Sequence, residues 1–276
     1  AGVDFQDPQN GKRYHISPET AMQIQNTIGS DIIMVFDECP PYLCKKIYAQ
    51  ASLELTTRWA KRCMVEFNRI KNQESRIKGK LIFGIVQGGV YKDLRIKAAR
   101  ELVAMSFSAK GGPALGWDGY AIGGVAVGEP REKLKKVLEW VLPELPDDKP
   151  RYLMGLGRPE EIVYAVKQGI DMFDCVIPTR EARHGRLYLC KVQNSKFKTQ
   201  SLGKNFYNTI NIKNAKFATD MSPINNSNLK QYTKAYLHHL FRTNELLGMR
   251  LATLNNLEFY LTLMRNIRNQ IEKGTF

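Results

Sequence analysis

Paired cysteines and long apolar runs are both missing from this sequence of 276 residues. It holds five cysteines, and no two of them form a C-x-x-C pair, which argues against a disulfide scaffold and against a cysteine-rich zinc site. The longest apolar runs have the length of a strand and fall far short of a membrane span. The polar residues 1–7 also lack the pattern of a signal peptide. We therefore expect a reduced, cytoplasmic protein that has no membrane as its partner.

Charge of one sign is abundant instead. Lys and Arg number 41 and Asp and Glu number 27, so the formal net charge is +14. Residues 187–276 carry thirteen of the basic residues and four of the acidic ones, which is +9 of that excess. Many proteins are basic without an acidic partner, but a nucleic acid is the partner that such an excess most often indicates. We expect a phosphate-binding surface in the last third of the chain.

Strands and helices alternate over the first 180 residues. A first helix is predicted from the capping residue Ser17 to Gly29. The segments that predict strands are Ile32–Phe36, Leu81–Val86, Gly119–Ile122, Arg151–Met154 and Asp171–Phe173. The stretches between them that predict helices are about Ile47–Ile70, Asp93–Ser106, Arg131–Val141 and Pro159–Gln168. This alternation predicts a parallel sheet covered by helices. Five strands fit either an open doubly wound sheet or part of a closed barrel, which needs eight.

The pattern changes after Arg186. Leu187–Val192 predicts another strand, and a basic run rich in Ser, Gln and Asn follows it. Tyr232–Leu247 and Leu257–Ile271 predict two amphipathic helices. We therefore predict two domains, with residues 1–186 forming the β/α portion and residues 187–276 forming a basic C-terminal subdomain with closing helices.

Polar residues and glycines follow each predicted strand, and in chain order they are Asp37, Gln87, Gly123-Gly124, Gly155 and Asp174. The carboxyl ends of parallel strands meet on one face of such folds, so we expect these residues to converge. An acid, an amide and glycines suit a purine-like ligand, because they offer acceptors, donors and close backbone approach to a flat ring. The alternative is that the glycine pairs form tight turns and the acids cap helices.

Five strings resemble the bacterial type of tRNA-guanine transglycosylase, a family also called queuine tRNA-ribosyltransferases. These strings are Phe36–Cys39, Val86–Gly89, Ala121–Glu129, Tyr152–Gly157 and Met172–Arg180. Each alone is a weak signal, but all five occur in the family's order and at about its spacing. The resemblance runs from about Gly2 to Thr275.

The resemblance implies an α/β fold with an incomplete TIM-like (β/α)8 barrel and a C-terminal basic α/β subdomain. It implies that the wobble guanine of tRNAs with a GUN anticodon is exchanged for 7-aminomethyl-7-deazaguanine, or for queuine, in queuosine biosynthesis. Asp174 matches the family's nucleophile, which forms a covalent ester with the ribose. The implied partners are the tRNA anticodon loop and the deazaguanine base, and a homodimer is left open.

Further residues match the family's binding positions. Asp37 and Gln87 match the residues that bind the base, and Met154 matches the apolar residue stacked on it. The full substrate-binding set is Asp37, Cys39, Gln87, Gly123, Gly124, Val125 and Met154. The RNA-binding set is Gly155, Leu156, Gly157, Arg158, Pro159, Glu160, Glu161, Thr179, Arg180, Glu181, Ala182 and Arg183. Within it, Arg180 and Arg183 are expected to contact bases or phosphates beside the target.

Two parts of the family's pattern have no match. The opening barrel strands include an Asp-Ser-Gly-Gly-Phe-Gln motif with the general acid/base, and residues 1–30 do not replace it. We therefore expect a fragment or truncated product, whose rate would fall roughly 10²–10⁴-fold without that group. The chemistry requires no cofactor, although a structural zinc is usual in the family. Ile224–Leu229 and Asn255 stand where its cysteines and histidine are expected, and these side chains do not replace thiolates, so we predict no metal ligands.

Two alternatives to this enzyme are an inactive relative and an unrelated barrel enzyme. A catalytically inactive tRNA-binding paralogue or partner subunit is favoured by the missing general base and zinc ligands, and disfavoured by the retained Asp174, Asp37 and Gln87. An unrelated barrel enzyme such as an aldolase would need a lysine or a metal cluster at a strand end. Neither is present among the strand ends of this sequence.

Overall fold

The computed structural model describes residues 2–73, 79–105, 116–125, 127–191 and 206–276. The strands in these ranges are β1 (Val3–Gln6), β2 (Arg13–Ile16), β3 (Ile32–Met34), β4 (Leu81–Val86), β5 (Gly119–Ile122), β6 (Arg151–Leu153), β7 (Met172–Phe173), β8 (Arg186–Cys190) and β9 (Tyr207–Asn211). The α-helices are α1 (Pro18–Ile28), α2 (Lys46–Gln73), α3 (Lys92–Met105), α4 (Arg131–Val141), α5 (Pro159–Lys167), α6 (Ile177–Arg183), α7 (Lys234–Arg242) and α8 (Leu246–Glu272).

The chain divides into two compact units. The first comprises Ala1–Gly155 and Gln168–Phe173, and the second comprises Leu156–Lys167 and Asp174–Phe276. The boundary at residue 186 between a barrel portion and a C-terminal subdomain stays a prediction. No helix in the described ranges combines the length and the apolar character that a membrane span needs.

Helix α1 begins and ends where its sequence predicts. The Ser17 hydroxyl accepts a hydrogen bond from the Thr20 N–H at 3.2 Å, and Pro18 occupies the first turn, where its missing N–H is not needed. Gly29 ends the helix in the left-handed conformation at φ 87°, which glycine adopts without strain. The predicted first helix is therefore confirmed at both ends.

The first unit is built on a parallel sheet of five strands in the order β3-β4-β5-β6-β7. The register aligns the last residues of neighbouring strands, since Val86 pairs with Ile122 and Ile122 pairs with Leu153. The segments that follow these strands therefore start from one edge of the sheet. The sheet curls as part of a barrel. The predicted α/β class with an incomplete TIM-like barrel is confirmed, and the open doubly wound alternative is not.

Two glycines make room for aromatic rings in the core of this unit. A Cβ atom at Gly84 would lie 3.1 Å from the Trp117 ring, and one at Gly119 would overlap the Phe83 ring. Trp117 is buried, and its indole N–H donates to the Leu102 carbonyl at 2.9 Å. The segment that leads into β5 is thus joined to α3 by packing and by one buried hydrogen bond.

The second unit has its own core between a two-stranded sheet and helices. Strands β8 and β9 pair antiparallel, with Tyr188 opposite Thr209. The buried residues of this core come from β8, α6, α7, α8 and the intervening loops, and they include Ala182, Leu187, Ile212, Phe217, Ile224, Leu229, Leu237, Leu240 and Leu251. The predicted C-terminal α/β character is therefore present in this unit.

The two predicted C-terminal helices were wrong in their bounds. The helix predicted over Tyr232–Leu247 ends at Arg242, because Asn244 adopts a left-handed conformation at φ 58°. The helix predicted over Leu257–Ile271 instead begins at Leu246. Gly248 weakens the helical signal there, but it packs closely on α7, where a Cβ atom would lie 3.0 Å from the Leu240 side chain. Tertiary packing thus outweighs local propensity.

Other boundaries differ by one to three residues, and the elements β1, β2, α6 and β9 have no counterpart among the predicted ones. The hairpin of β1 and β2, with Val3 opposite Ile16, lies in the N-terminal segment, where the sequence pattern predicts no strand. Strand β8 spans Arg186–Cys190 rather than Leu187–Val192. Val192, the basic run behind it to residue 205, and Ser106 lie outside the described residues.

Candidate functional site

A buried acid–amide pair stands at the carboxyl edge of the sheet. Asp37 comes three residues after β3, and Gln87 is the first residue after β4. The side-chain amide of Gln87 donates from Nε2 to Oδ2 of Asp37 at 2.6 Å. Gln87 is only 1% exposed. Burial raises the pKa of Asp37, and the hydrogen bond from Gln87 opposes part of that effect. The pair therefore holds a partly desolvated carboxylate in a fixed place.

The other polar atom of Gln87 has no partner. Its Oε1 is buried and accepts no hydrogen bond from any donor in the described ranges. Leaving a buried acceptor unpaired costs about 1–3 kcal/mol, which a ligand with an N–H donor would recover. The side chain lies directly against the glycine pair after β5: a Cβ atom at Gly123 would be 2.8 Å from Nε2, and one at Gly124 would overlap Oε1. Gly124 also has a left-handed φ of 61°.

The rest of the predicted substrate-binding set is divided between buried and exposed positions. Val125 is buried, Met154 is half-buried, and Cys39 is exposed. Gly155 has a left-handed φ of 72°, and a Cβ atom there would be 4.0 Å from the Val125 carbonyl oxygen. The structure thus brings Asp37, Gln87, Gly123 and Gly124 together, with Gly155 near Val125. Convergence of these residues with Asp174, which belongs to the second unit, stays a prediction.

A buried arginine, which is not among the predicted site residues, joins the loops around this pair. Arg95 on α3 is fully buried. Its guanidinium donates to four main-chain carbonyl oxygens at 2.7–3.0 Å, those of Val86, Gly89, Gly123 and Gly124. Burial lowers the pKa of Arg95 to about 10, so it remains charged at neutral pH. The signal was available, because Arg95 shares the apolar face of α3 with Ala98 and Leu102.

In the second unit, a tight loop packs beside the predicted nucleophile. Asp174 is exposed, and it precedes Cys175. The Cys175 thiol lies 3.8 Å from the Gly157 carbonyl oxygen, and a Cβ atom at Gly157 would overlap that sulfur. The Tyr260 hydroxyl donates to the same carbonyl at 2.7 Å. The residue next to Asp174 is therefore fixed by a contact that only glycine permits.

Helix α6 presents two arginines to solvent. Arg180 and Arg183 are exposed, whereas Ala182 is buried on the opposite side. Glu181 forms an ion pair with Arg186, with 3.1 Å between Oε2 and Nε. This ion pair offsets the negative charge of Glu181, which lies between the two arginines in the sequence.

The predicted RNA-binding residues separate into those that hold the loops and those that face solvent. Leu156, Gly157, Pro159 and Ala182 are buried. Glu160 and Glu161 are engaged within the unit, with Glu160 accepting from the Tyr207 hydroxyl at 2.7 Å and Glu161 accepting from the Arg158 N–H at 3.3 Å. Thr179 donates from its hydroxyl to the Val176 carbonyl at 3.2 Å. The cationic side chains of the set, Arg158, Arg180 and Arg183, are all exposed.

A buried asparagine ties the arginine-bearing helix to the neighbouring strand and helix. Asn256 on α8 donates to the Pro178 carbonyl at 3.0 Å and to the Arg186 carbonyl at 2.9 Å. It also accepts from the Tyr188 N–H at 2.9 Å. Since Asn256 is fully buried, each of these main-chain groups depends on it rather than on water.

Replacing this asparagine should destabilise the protein strongly. We expect Asn256→Ala to lower the free energy of unfolding by about 3 kcal/mol, because it leaves buried donors and acceptors unpaired. Urea denaturation measures this, with Asn208→Ala, at an exposed position of β9, as the matched control. A loss below about 1 kcal/mol, the size of one ordinary hydrogen bond, would contradict the bridging role.

The segment that matches the family's zinc cluster is held by amides and hydroxyls. Asn225 lies at its centre, donating to Asn255 at 3.2 Å and to Asn228 at 3.1 Å. Its Oδ1 accepts from the N–H groups of Ser227 and Leu229 at 3.1 and 3.0 Å. These neutral side chains do not fit zinc, which takes thiolate, imidazole or carboxylate ligands. In the described residues, no group of three or more His, Cys, Asp or Glu side chains is placed to hold a metal ion.

The histidines of α7 do not contribute to such a site. His238 is buried, and its Nδ1 lies 2.8 Å from the Ile212 carbonyl oxygen, so it serves the packing of α7. His239 is exposed. His238 therefore packs within the second unit, and His239 lies at its surface.

Comparison with known proteins gives one consistent family. The family model described as Queuine tRNA-ribosyltransferase matches residues 1–276. Proteins of that name from Shewanella sp. (strain W3-18-1), Pasteurella multocida (strain Pm70) and Tolumonas auensis are 44%, 45% and 45% identical to the chain, respectively. The matches cover 99%, 100% and 99% of this chain and 66%, 64% and 66% of the relatives, so the chain spans just under two thirds of their length. By this evidence, the chain belongs to the queuine tRNA-ribosyltransferase family.

Proposed function

We propose that this chain exchanges the wobble guanine of tRNAs with a GUN anticodon for 7-aminomethyl-7-deazaguanine, as a step of queuosine biosynthesis. In this proposal the carboxylate of Asp174 attacks C1′ of the ribose, and guanine leaves with the electrons of the glycosidic bond. The incoming base then displaces the carboxylate from the same carbon. Two displacements preserve the configuration at that carbon, and no energy source is needed because one N-glycosidic bond replaces another.

The acid–amide pair supports a base pocket in the first unit. A guanine presents an N–H, an exocyclic amine and a carbonyl oxygen along one edge. The Asp37 carboxylate is suited to accept from the first two, and a backbone N–H at Gly124 is suited to donate to the third. The observation that carries the proposal is the buried Oε1 of Gln87. The other end of the same amide, Nε2, donates to Asp37, whereas Oε1 accepts no hydrogen bond in the described part of the chain. A nucleobase supplies the N–H that this oxygen lacks.

The exposed arginines support an RNA-binding role for the second unit. Arg158, Arg180 and Arg183 are candidates for phosphate and base contacts with the anticodon loop, since planar guanidinium groups bind phosphate in a bidentate manner. The target base must leave its stack to enter a pocket of this kind. The net charge of +14 favours the same partner. Queuine as the incoming base and a homodimer remain open within this proposal.

Base exchange with labelled guanine tests the proposal. The chain is incubated with radiolabelled guanine and a tRNA with a GUN anticodon, and in parallel with the same tRNA carrying adenine at the wobble position. We expect label to enter only the first tRNA, because only that tRNA has a guanine at the wobble position. Binding of tRNA without incorporation would favour the second candidate, an inactive tRNA-binding paralogue or partner subunit. Failure to bind tRNA at all would contradict both.

A further inference from the structure

Four carbonyl groups at the ends of two neighbouring strands turn towards one buried side chain. The Arg95 guanidinium donates to the carbonyl oxygens of Val86, the last residue of β4, and Gly89 in the loop after it. It also donates to those of Gly123 and Gly124 after β5. Within the described residues, main-chain oxygens are its only hydrogen-bond partners. A planar group with five donors is suited to this task, whereas a lysine ammonium reaches fewer acceptors and lacks the fixed geometry.

The direction of these carbonyls fixes the direction of the neighbouring amides. In a trans peptide unit, the C=O of one residue and the N–H of the next point to opposite sides. No cis peptide bond occurs in the residues that the structure describes. Because the Gly123 and Gly124 carbonyls point at Arg95, the N–H groups of Gly124 and Val125 point away from it. Neither N–H has a hydrogen-bond partner among the residues the structure describes.

The two outward amides border the same side chain as the acid–amide pair. Gln87 packs so closely against Gly123 and Gly124 that a Cβ atom on either would clash with its amide. Two unpaired donors therefore stand next to one buried, unpaired acceptor, the Oε1 of Gln87. A ligand that offers both an oxygen acceptor and N–H donors on one edge complements this set.

We propose that Arg95 is a positioning residue of the base pocket, which acts through the turn Gly123–Val125 and makes the pocket select a purine with an oxygen acceptor at C6. This inference rests on the proposed function and deepens it. Arg95 does not touch the base. It holds the Gly124 and Val125 amides towards the purine oxygen. Loss of Arg95 therefore weakens the hydrogen bonds to that oxygen more than it weakens the other contacts with the base.

A single-atom change in the ligand tests the selection. Guanine and 6-thioguanine share the same donors, but 6-thioguanine carries sulfur, a weaker acceptor, in place of the C6 oxygen. By calorimetry, we expect the parent chain to bind guanine about tenfold more tightly than 6-thioguanine, the size of one good hydrogen bond. We expect Arg95→Lys to reduce that preference to about one, with guanine losing affinity and 6-thioguanine losing little.

Arg151→Lys is the matched control. Arg151 is also buried, and its Nη2 donates to the Leu145 carbonyl at 2.7 Å, away from the glycine turn. We expect this variant to keep the preference for guanine even where it loses stability. Equal loss of both ligands in Arg95→Lys, or an unchanged preference, would overturn the positioning role. A parent chain that binds neither base would contradict the base pocket itself.

A second measurement needs no ligand and separates these failures. Residual dipolar couplings report the direction of each N–H bond in the folded chain. We expect the couplings of Gly124 and Val125 to change in Arg95→Lys and to stay unchanged in Arg151→Lys. If the parent binds no base but these couplings change, Arg95 orients the turn and the proposed function is at fault. Unchanged couplings in a folded Arg95→Lys variant show that the turn holds without Arg95, which overturns this inference alone.

Discussion

Asp174→Asn is expected to abolish guanine exchange while leaving tRNA binding in place. The asparagine side chain has nearly the same shape, but a neutral amide cannot form the ester with the ribose carbon. Removal of a nucleophile of this kind lowers the rate on the order of 10⁴-fold or more. Initial rates of labelled guanine incorporation into tRNA measure the loss, and a filter-binding assay measures whether tRNA affinity is kept.

The control for this variant is another exposed aspartate. Asp148 is exposed and lies in the first unit, and Asp148→Asn removes the same charge from the surface. It should exchange guanine at the parent's rate. A denaturing gel of the parent with tRNA adds a direct readout, because the ester between Asp174 and tRNA shifts the protein and is absent from Asp174→Asn. If Asp174→Asn exchanges label as fast as the parent, the nucleophile has been assigned to the wrong residue.

Asp37→Asn is expected to weaken guanine binding about 100-fold, because an amide offers one acceptor and one donor where the base presents two donors. The hydrogen bond from Gln87 survives, since the asparagine oxygen still accepts it, so the loss is confined to the ligand. Calorimetry with guanine measures this change. Guanine affinity of the parent should also fall as acidification protonates Asp37. An Asp37→Asn variant with the parent's affinity would remove Asp37 from the base pocket.

The same substitution should raise stability at neutral pH. Burial raises the pKa of Asp37, so the folded protein disfavours the ionised carboxylate. The folded state therefore loses stability as pH rises from the unfolded value, near 3.8, through the raised folded value. Asp37→Asn escapes that loss, so its Tm should exceed the parent's at pH 7 and the difference should shrink below pH 4.

Glu19 provides a control of opposite sign for this pH profile. Arg62 donates two hydrogen bonds to its carboxylate, which holds the pKa of Glu19 at about 2. Its contribution to stability is present above the ordinary glutamate pKa of 4.5 and is lost as pH falls towards 2. Glu19→Gln should therefore lower the Tm at pH 7, and the difference should fade in acid. If Asp37→Asn instead lowers the Tm at pH 7, as expected for Glu19→Gln, burial does not destabilise the ionised form of Asp37.

The sequence predicts the sheet and its edge well for a physical reason. Strands such as Leu81–Val86 are apolar without interruption, and glycines mark their ends, so both the strand and the turn after it are local signals. The nearness of Asp37, Gln87 and Gly124 follows from one rule about parallel sheets rather than from any detail of this chain. The assignment of roles at those positions came from resemblance, not from pattern.

The features that escaped prediction depend on contacts distant in sequence. Arg95 binds carbonyls up to 29 residues away, and its role is visible only once both loops are in place. The start of α8 at Leu246 rests on the packing of Gly248 against α7 and on the buried Asn256. Local propensity places asparagine and glycine outside helices, so a single-sequence pattern shortens this helix. The strands of the β1–β2 hairpin alternate apolar and polar residues, as in Val3-Asp4-Phe5-Gln6, but each has only four residues, the shortest alternation that predicts a strand.

The amide cluster around Asn225 changes what the second unit depends on. A metal-held segment is sensitive to chelators, to oxidation of its sulfurs and to protonation of its ligands. Asn225, Asn228 and Asn255 carry no titratable proton and no sulfur, and their hydrogen bonds close on one another and on the main chain. The hydrogen bonds of this cluster therefore do not depend on a metal ion, on the protonation of these side chains or on the oxidation state of a sulfur. The reaction that would disrupt them is deamidation, which converts asparagine to a charged side chain.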